Sequence, residues 1–448
     1  MQEHDTIDRR TVIRLGAATG LLAAAGCLEL GGNGEDPDED TGESTEDDDV
    51  TVAPELVEVD DPPAAVYLPT HREAMRMLEP IEAGEFVLAP MLSYPHPFWV
   101  IAGGGTDDEV ERVDPDDGRG VHMMFTLWDA ETGIVLPADE GAQIRVFRDG
   151  ESVGSPRSPW AMISQGMGFH FGDNVPLPED GTYTVEVTIP SISTTRTGAL
   201  EGRLTESRTA TFEFVYDDEF RHEVVDGVEY FDEEYWGRPG AIGPMDHGEH
   251  GDGHGEHGDD GHGEHGDDGH DEHGDDDHDE HGDDGHDEHG DDDHDHHVPY
   301  SALPRVEEYP GTLLVGPTSD SVPEETEDLP RSGDAAMLAT VFESGFRLAD
   351  GDERYLLVSP RTPYNRVPLA DMSLSVTVER DGEVVGESTL EQTLDGEYDL
   401  HYGASIADIE PGDSVTITIE SPPQVARHQG YETAFLEMPP VEFVLEDR

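Results

Sequence analysis

The chain has 448 residues, with 105 acidic against 24 basic side chains and a formal net charge of −81; all 24 basic residues are arginine. A surface this acidic excludes nucleic acid as a partner, because that affinity depends on Lys and Arg neutralising phosphates. Acid excess with lysine absent is the surface chemistry of proteins that fold in near-saturated salt, as in halophilic archaea, where screening shortens charge repulsion to a few Å, and the length allows two or three domains.

Residues 1–27 read as an export signal. Arg9-Arg10 is a twin-arginine pair, and the apolar run from Leu15 to Ala25 follows it. That run is too short to span a bilayer, which needs roughly 20 residues, and fits a signal h-region. It ends Leu22-Ala23-Ala24-Ala25-Gly26-Cys27, similar to a lipobox, and Cys27 is the only cysteine, so it has no intramolecular disulfide role. The expected product is exported by the twin-arginine route and lipid-anchored through Cys27 to the outer face of the cytoplasmic membrane. Residues 28–60, rich in Gly, Asp, Glu and Thr, read as a disordered acidic tether.

From 61 to 225 the pattern is strands and turns. Val121–Trp128, Ala142–Phe147 and Thr182–Ile189 are β-rich runs with partial alternation, punctuated at Asp149-Gly150 and Asp180-Gly181. Asp-Gly after an alternating run signals a hairpin, and several short strands at this spacing indicate a β-sandwich. Helical signal is confined to Arg72–Leu78.

Residues 226–300 read as a linker containing the tract 246–297, in which 52 residues comprise 24 Asp/Glu, 15 His and 13 Gly. A His-x-x-His motif recurs every eight residues: His254 with His257, His262 with His265, His270 with His273, His278 with His281, and His286 with His289. With no apolar residue the tract cannot bury a face. Its imidazole density reads as metal-binding, so these ten histidines are candidate ligands, with zinc, nickel or copper as candidate ions. A solvated acidic spacer would have no need of histidine at a fixed repeat.

Residues 301–448 repeat the plan of the first segment. Arg148-Asp-Gly-Glu151 recurs as Arg380-Asp-Gly-Glu383, and His170-Phe-Gly172 as His401-Tyr-Gly403, each followed by a strand. The spacing from Gly150 to His170 is 20 and from Gly382 to His401 is 19. Three matches in order argue for an internal duplication, and so for two sandwiches of one type.

His170-Phe-Gly-Asp-Asn174 and His401-Tyr-Gly-Ala-Ser405 resemble the His-Tyr-Gly-x-Asn motif of the bacterial periplasmic iron-transport family. Those are small copper- and iron-binding proteins that accompany an iron permease. The resemblance implies immunoglobulin-like sandwiches, an iron or copper ion, an iron permease as partner, and His170 and His401 as ligands. It places a second ligand at His122, with Met124 where the family has Glu, and a thioether ligand at Met162 or Met167. A third histidine, in an Arg-His-x-x-x-Glu-Thr run, falls at His428 in the second segment; the first has none there. Arg354-Tyr355 lies near the position equivalent to His122. Neither half keeps a full set, so one composite site is an option.

The chemistry stands without the family. Histidine with a thioether favours copper, Cu(I) above all, whereas histidine with carboxylate suits Fe(II), Mn or Zn. His71 and His96 are weaker candidates, since a loop histidine beside proline is usually solvated, and Met75, Met77 and Met91 read as core. Three readings remain: a metal-binding accessory lipoprotein for iron or copper uptake, a His-tract buffer presented on sandwiches, or a structural or adhesive surface protein. No nucleophile elbow, His-Glu-x-x-His or phosphate loop is present, so no enzyme is expected.

Overall fold

A computed structural model describes residues 53–101, 110–116, 118–136, 141–245, 298–319 and 323–446. The export-signal residues Arg9 and Arg10 and the anchor Cys27 lie outside the described residues. So does the whole tract 246–297 with its candidate ligands His254, His257, His262, His265, His270, His273, His278, His281, His286 and His289. The fold is all-β, as the alternating runs predict.

In the first half, β1 (Arg76–Met77), β2 (Phe86–Ser93), β3 (Phe98–Ile101) and β4 (Gly120–Asp129) are followed by β5 (Gln143–Arg148), β6 (Glu151–Arg157), β7 (Trp160–Ser164) and β8 (Gly168–Pro176). β9 (Gly181–Ile189), β10 (Thr195–Thr197) and β11 (Arg208–Tyr216) come next, and this half also contains the short strands His71–Arg72, Ile81–Ala83, Val110–Val113 and Glu229–Tyr230. One sheet runs β1-β2-β4-β8-β7; the other runs β11-β9-β5-β6. Period-two alternation divides each strand. Met123, Phe125, Phe169, Phe171 and Ile163 point into the core between the sheets, and His122, Met124, His170 and Met162 therefore share the opposite face.

The second half has β12 (Ala335–Phe342), β13 (Arg354–Arg361), β14 (Ser373–Arg380), β15 (Glu383–Asp395), β16 (Asp399–Ile406), β17 (Ser414–Ser421), β18 (Ala426–Arg427) and β19 (Val441–Val444). Its strand order, β12-β13-β16-β15 continuing through β14-β17-β19, reproduces the first half. The long β15 stands where β6 and β7 stand together.

The halves also exchange strands. β18 adds in parallel to β7 of the first half, Met162 facing Ala426. β10 adds in parallel to β15 of the second, Thr195 facing Thr393. Arg427, fully buried, fixes the exchanged strand by donating to the carbonyls of Pro423, Tyr431 and Ala434. The sandwiches expected as separate modules are thus one hydrogen-bonded body.

Two local expectations fail. Arg72–Leu78 is extended, because Arg76 and Met77 pair with Leu92 and Met91 at a sheet edge. The described α-helix is instead α1 (Asp218–Asp226), whose N-cap Asp217 accepts a hydrogen bond from the Phe220 amide at 2.9 Å. Residues 226–245, read as linker, pack on the first half: Tyr230 pairs with His71, and the Met245 amide donates to the Gly166 carbonyl.

Candidate metal centre

The outer face of the first sheet gathers histidines from three parts of the chain. β4 presents His122 and β8 presents His170. The residue after β18, His428, is held there by its amide, which donates to the Ile163 carbonyl at 3.2 Å. The turn after β2 brings His96, and the N-terminal segment brings Glu73. The four imidazoles are at most 4 % exposed. Ring centroids lie 4.0 Å apart for His96–His122, 5.6 Å for His122–His428 and 5.0 Å for His170–His428.

Hydrogen bonds fix how these rings present their nitrogens. Asn174 is oriented by the backbone of His96, whose amide donates to Oδ1 at 3.3 Å and whose carbonyl accepts from Nδ2 at 2.8 Å. Its Oδ1 can therefore only accept from His122 Nδ1, at 3.0 Å. His170 Nδ1 donates to the Gly168 carbonyl at 3.2 Å, His96 Nδ1 to the Pro97 carbonyl at 3.0 Å, and His428 Nδ1 to Glu73 at 3.3 Å. With each Nδ1–H so used, each Nε2 carries a lone pair. The Nε2 atoms of His170 and His428 face each other at 3.1 Å, and the buried His122 Nε2 has no hydrogen-bond partner. Lone pairs directed at one another without donors between them are the signature of a cation site.

Met162 completes the set. It pairs with His170 across β7 and β8. A Cβ on Gly172 would lie 2.9 Å from Met162 Sδ and 3.0 Å from His122 Nε2, so the absent side chain leaves the space into which both atoms project. On the other side, Glu73 lies 3.3 Å from both His96 Nε2 and His428 Nδ1, and these three residues bring ligand atoms within 4.8 Å of one another.

Burial sets the charge state. It holds the His122 imidazole well below the ordinary histidine range, pushes His170 down to about 3, and lowers His96 against the pull of Glu73. Burial alone would raise the Glu73 carboxyl, but the facing His96 and His428 keep it well below the usual carboxylate range. His96, His122 and His170 are thus held neutral beside one carboxylate, the protonation states a metal requires.

Of the residues read from sequence, His122, Met162, His170 and His428 come together, and Met124 and Met167 lie beside them in a methionine cluster. His401 does not join them. Register makes the reason visible: His122 pairs with Asn174 on β8, and Tyr355 pairs with Ser405 at the equivalent place on β16. Thr393 faces His401 as Met162 faces His170. Tyr355 and Thr393 therefore replace a nitrogen and a sulfur, and His401 Nε2 is engaged by the Tyr355 hydroxyl at 3.1 Å. The exchanged strand β10 brings Thr197 where β18 brings His428. His71 stays outside, bonded through Nδ1 to Thr70 at 2.8 Å. Glu73 escapes the sequence reading because it carries no motif, and His96, a weaker candidate there, is buried where a solvated loop histidine is expected. The tract histidines His257, His265, His273, His281 and His289, with their partners in each repeat, fall outside the described residues.

A cleft beside the centre is lined by His71, Glu73, Met75, Met167, Met245 and His428 among others. Described residues on either side of the tract bond to the segment 165–169. The Met245 amide donates to the Gly166 carbonyl at 2.9 Å; on the return, Tyr300 donates to the Gln165 carbonyl at 3.0 Å and Ser301 accepts from the Phe169 amide at 2.6 Å.

A family model described as a domain of unknown function (DUF7350) matches residues 307–444, under a third of the chain. No curated protein matches. Among solved structures, the chain is similar to the crystal structure of "as isolated" FetP from uropathogenic E. coli strain F11, expressed in the periplasm of E. coli BL21(DE3). That similarity covers 33 % of this chain and 95 % of that chain, at 16 % identity and a TM-score of 0.21, too low to bear on function. No helix among the described residues is long and apolar enough to cross a membrane.

Asn174→Ala should expose the importance of the imposed tautomer. Loss of an outer partner of a ligating histidine costs about 10–100-fold in metal affinity. Copper titration should read that loss, and imidazole ¹⁵N shifts should show mixed tautomers at His122. Unchanged affinity with a retained single tautomer would refute this role.

Proposed function

We propose that this protein is an extracytoplasmic metal-binding protein whose centre, built from His122, His170, His428 and Met162 with His96 and Glu73 beside them, holds a transition-metal ion. The supporting observation is the convergence of three Nε2 lone pairs from two halves of the chain. Imidazoles with a thioether favour copper; Glu73 with His96 and His428 adds an oxygen donor that suits iron. We read the role as capture for iron or copper uptake, with a membrane permease as the receiving partner and Cys27 as the lipid anchor. This reading draws on the motif resemblance of His122, His170 and His428 to the periplasmic iron-transport family.

The His tract acts in this reading as a capture buffer. The flanking residues Met245, Tyr300 and Ser301 bond to the segment 165–169, so an ion released from the tethered tract stays at an effective concentration on the order of mM near the centre. Deleting 246–297 should leave a cooperative thermal transition, retain the ion of the buried centre and lose the remaining bound metal, read by elemental analysis of protein purified from its own host. A deletion variant that binds no metal while still folded would refute the buried centre. One that keeps the full metal load would refute the buffer.

A second reading, a tract-only buffer with the sandwiches as scaffold, predicts that substitutions at His170 and His428 leave metal content untouched. The same measurement separates the two.

A further inference from the structure

The outer face of the first sheet carries a row of thioethers that the histidine centre does not use. Met77 on β1 lies directly opposite Met91 on β2, and Met91 directly opposite Met124 on β4. Opposed residues on one sheet face have Cβ atoms about 4.5–5.5 Å apart, within reach of a shared ligand. Met75 and Met167 pack on this row, and among the described residues the cluster is made of these five methionines alone.

The ordinary role of methionine is to fill gaps in a core. The row is not on the core side. The core-facing residues of the same strands are Leu88 and Leu92 on β2 and Met123, Phe125 and Leu127 on β4, drawn mostly from Leu and Phe. Five of the chain's 12 methionines stand instead on the face where an antiparallel sheet ordinarily meets solvent. The row is placed between two features of the metal centre. Met75 and Met167 line the cleft with Glu73 and His428. At the other end Met124 pairs with Gly172, over which Met162 Sδ and His122 Nε2 converge.

We propose that Met75, Met77, Met91, Met124 and Met167 form a separate thioether site for a soft monovalent ion, Cu(I) by class, between the cleft and the histidine centre. Thioethers are neutral, soft donors, so the site discriminates against Fe(II), Zn(II) and other harder divalent ions. They carry no proton at any working pH, so occupancy is independent of pH where the native fold persists. The inference holds whichever ion occupies the histidine centre.

The test uses the full chain labelled with ¹³C at the methionine methyls, titrated with Ag(I) as a redox-inert probe in chloride-free nitrate buffer. The tract contains no methionine, so silver bound there is silent. The expected result is displacement of the five cluster methyl signals by the first equivalents of Ag(I), and their persistence in a variant carrying both His170→Ala and His428→Ala. A second variant carrying Met77→Leu and Met91→Leu, which nearly conserves volume, should abolish the shifts at Met75, Met124 and Met167 and leave Cu(II) binding at the histidine centre unchanged. Shifts confined to Met162, shifts lost with the histidine substitutions, or no shifts at all would each overturn the proposal.

Discussion

His428→Ala should abolish tight copper binding at a site whose other principal ligands are more than 250 residues away in sequence. His428 supplies one of two facing Nε2 atoms, 3.1 Å from that of His170. Removing a direct ligand should cost more than the 10–100-fold typical of outer-shell changes, so an affinity loss of about 100-fold or greater is expected by competition titration. His401→Ala is the control. His401 occupies the same motif position as His170, but its Nε2 is engaged by Tyr355, and its loss should leave affinity unchanged. Each titration belongs in the tract-deleted background, where weak sites do not mask the result. Equal losses at His428 and His401 would mean that the strand exchange does not build the site.

Lowering the pH from 7 to 5 should strongly destabilise the metal-free protein. His170 is pushed down to about 3 and His401 to about 4, both by burial, and His71, His96 and His122 shift in the same direction. Below the unfolded value of about 6.5 the unfolded chain takes up protons that the native state refuses. Stability is then fully present above that value and falls with pH until the folded values are reached. For His170 and His401 linkage gives about 2 kcal/mol each between pH 7 and pH 5. Glu73, held low in the fold, adds a loss of the same sign at more acid pH. Against a typical total of about 5–15 kcal/mol, two such losses alone should lower the melting temperature at pH 5 by many degrees. A melting temperature that does not change between pH 7 and pH 5 would contradict the buried neutral histidines.

The all-β class was legible because strand periodicity and Asp-Gly turns are local signals. His122, His170 and His428 were singled out by their resemblance to family motifs and not by any periodicity. The departure of the second copy, Ser405 where the first has Asn174, was passed over in matching His401 to the motif. Glu73 was hidden among 105 acidic residues, with no local pattern to distinguish it. His96 looked solvated between two prolines; it is buried because Asn174 satisfies both its amide and its carbonyl, a tertiary contact 78 residues away. Arg72–Leu78 read as helical by local signal and is extended because edge pairing with β2 overrides propensity. The exchange of β10 and β18 could not be read at all, since strands of two or three residues carry no pattern of their own.

That exchange gives the two halves the arrangement of a symmetric pair while keeping them in one covalent chain. In a pair of identical subunits every substitution is made twice, and both sites change together. Here each half has its own codons. The half that receives β18 carries nitrogen and sulfur donors, while the half that receives β10 carries Tyr355, Thr393 and Thr197 in their places. Within one chain the two halves can therefore differ at every equivalent position, and a ligand set in one half imposes no matching set on the other.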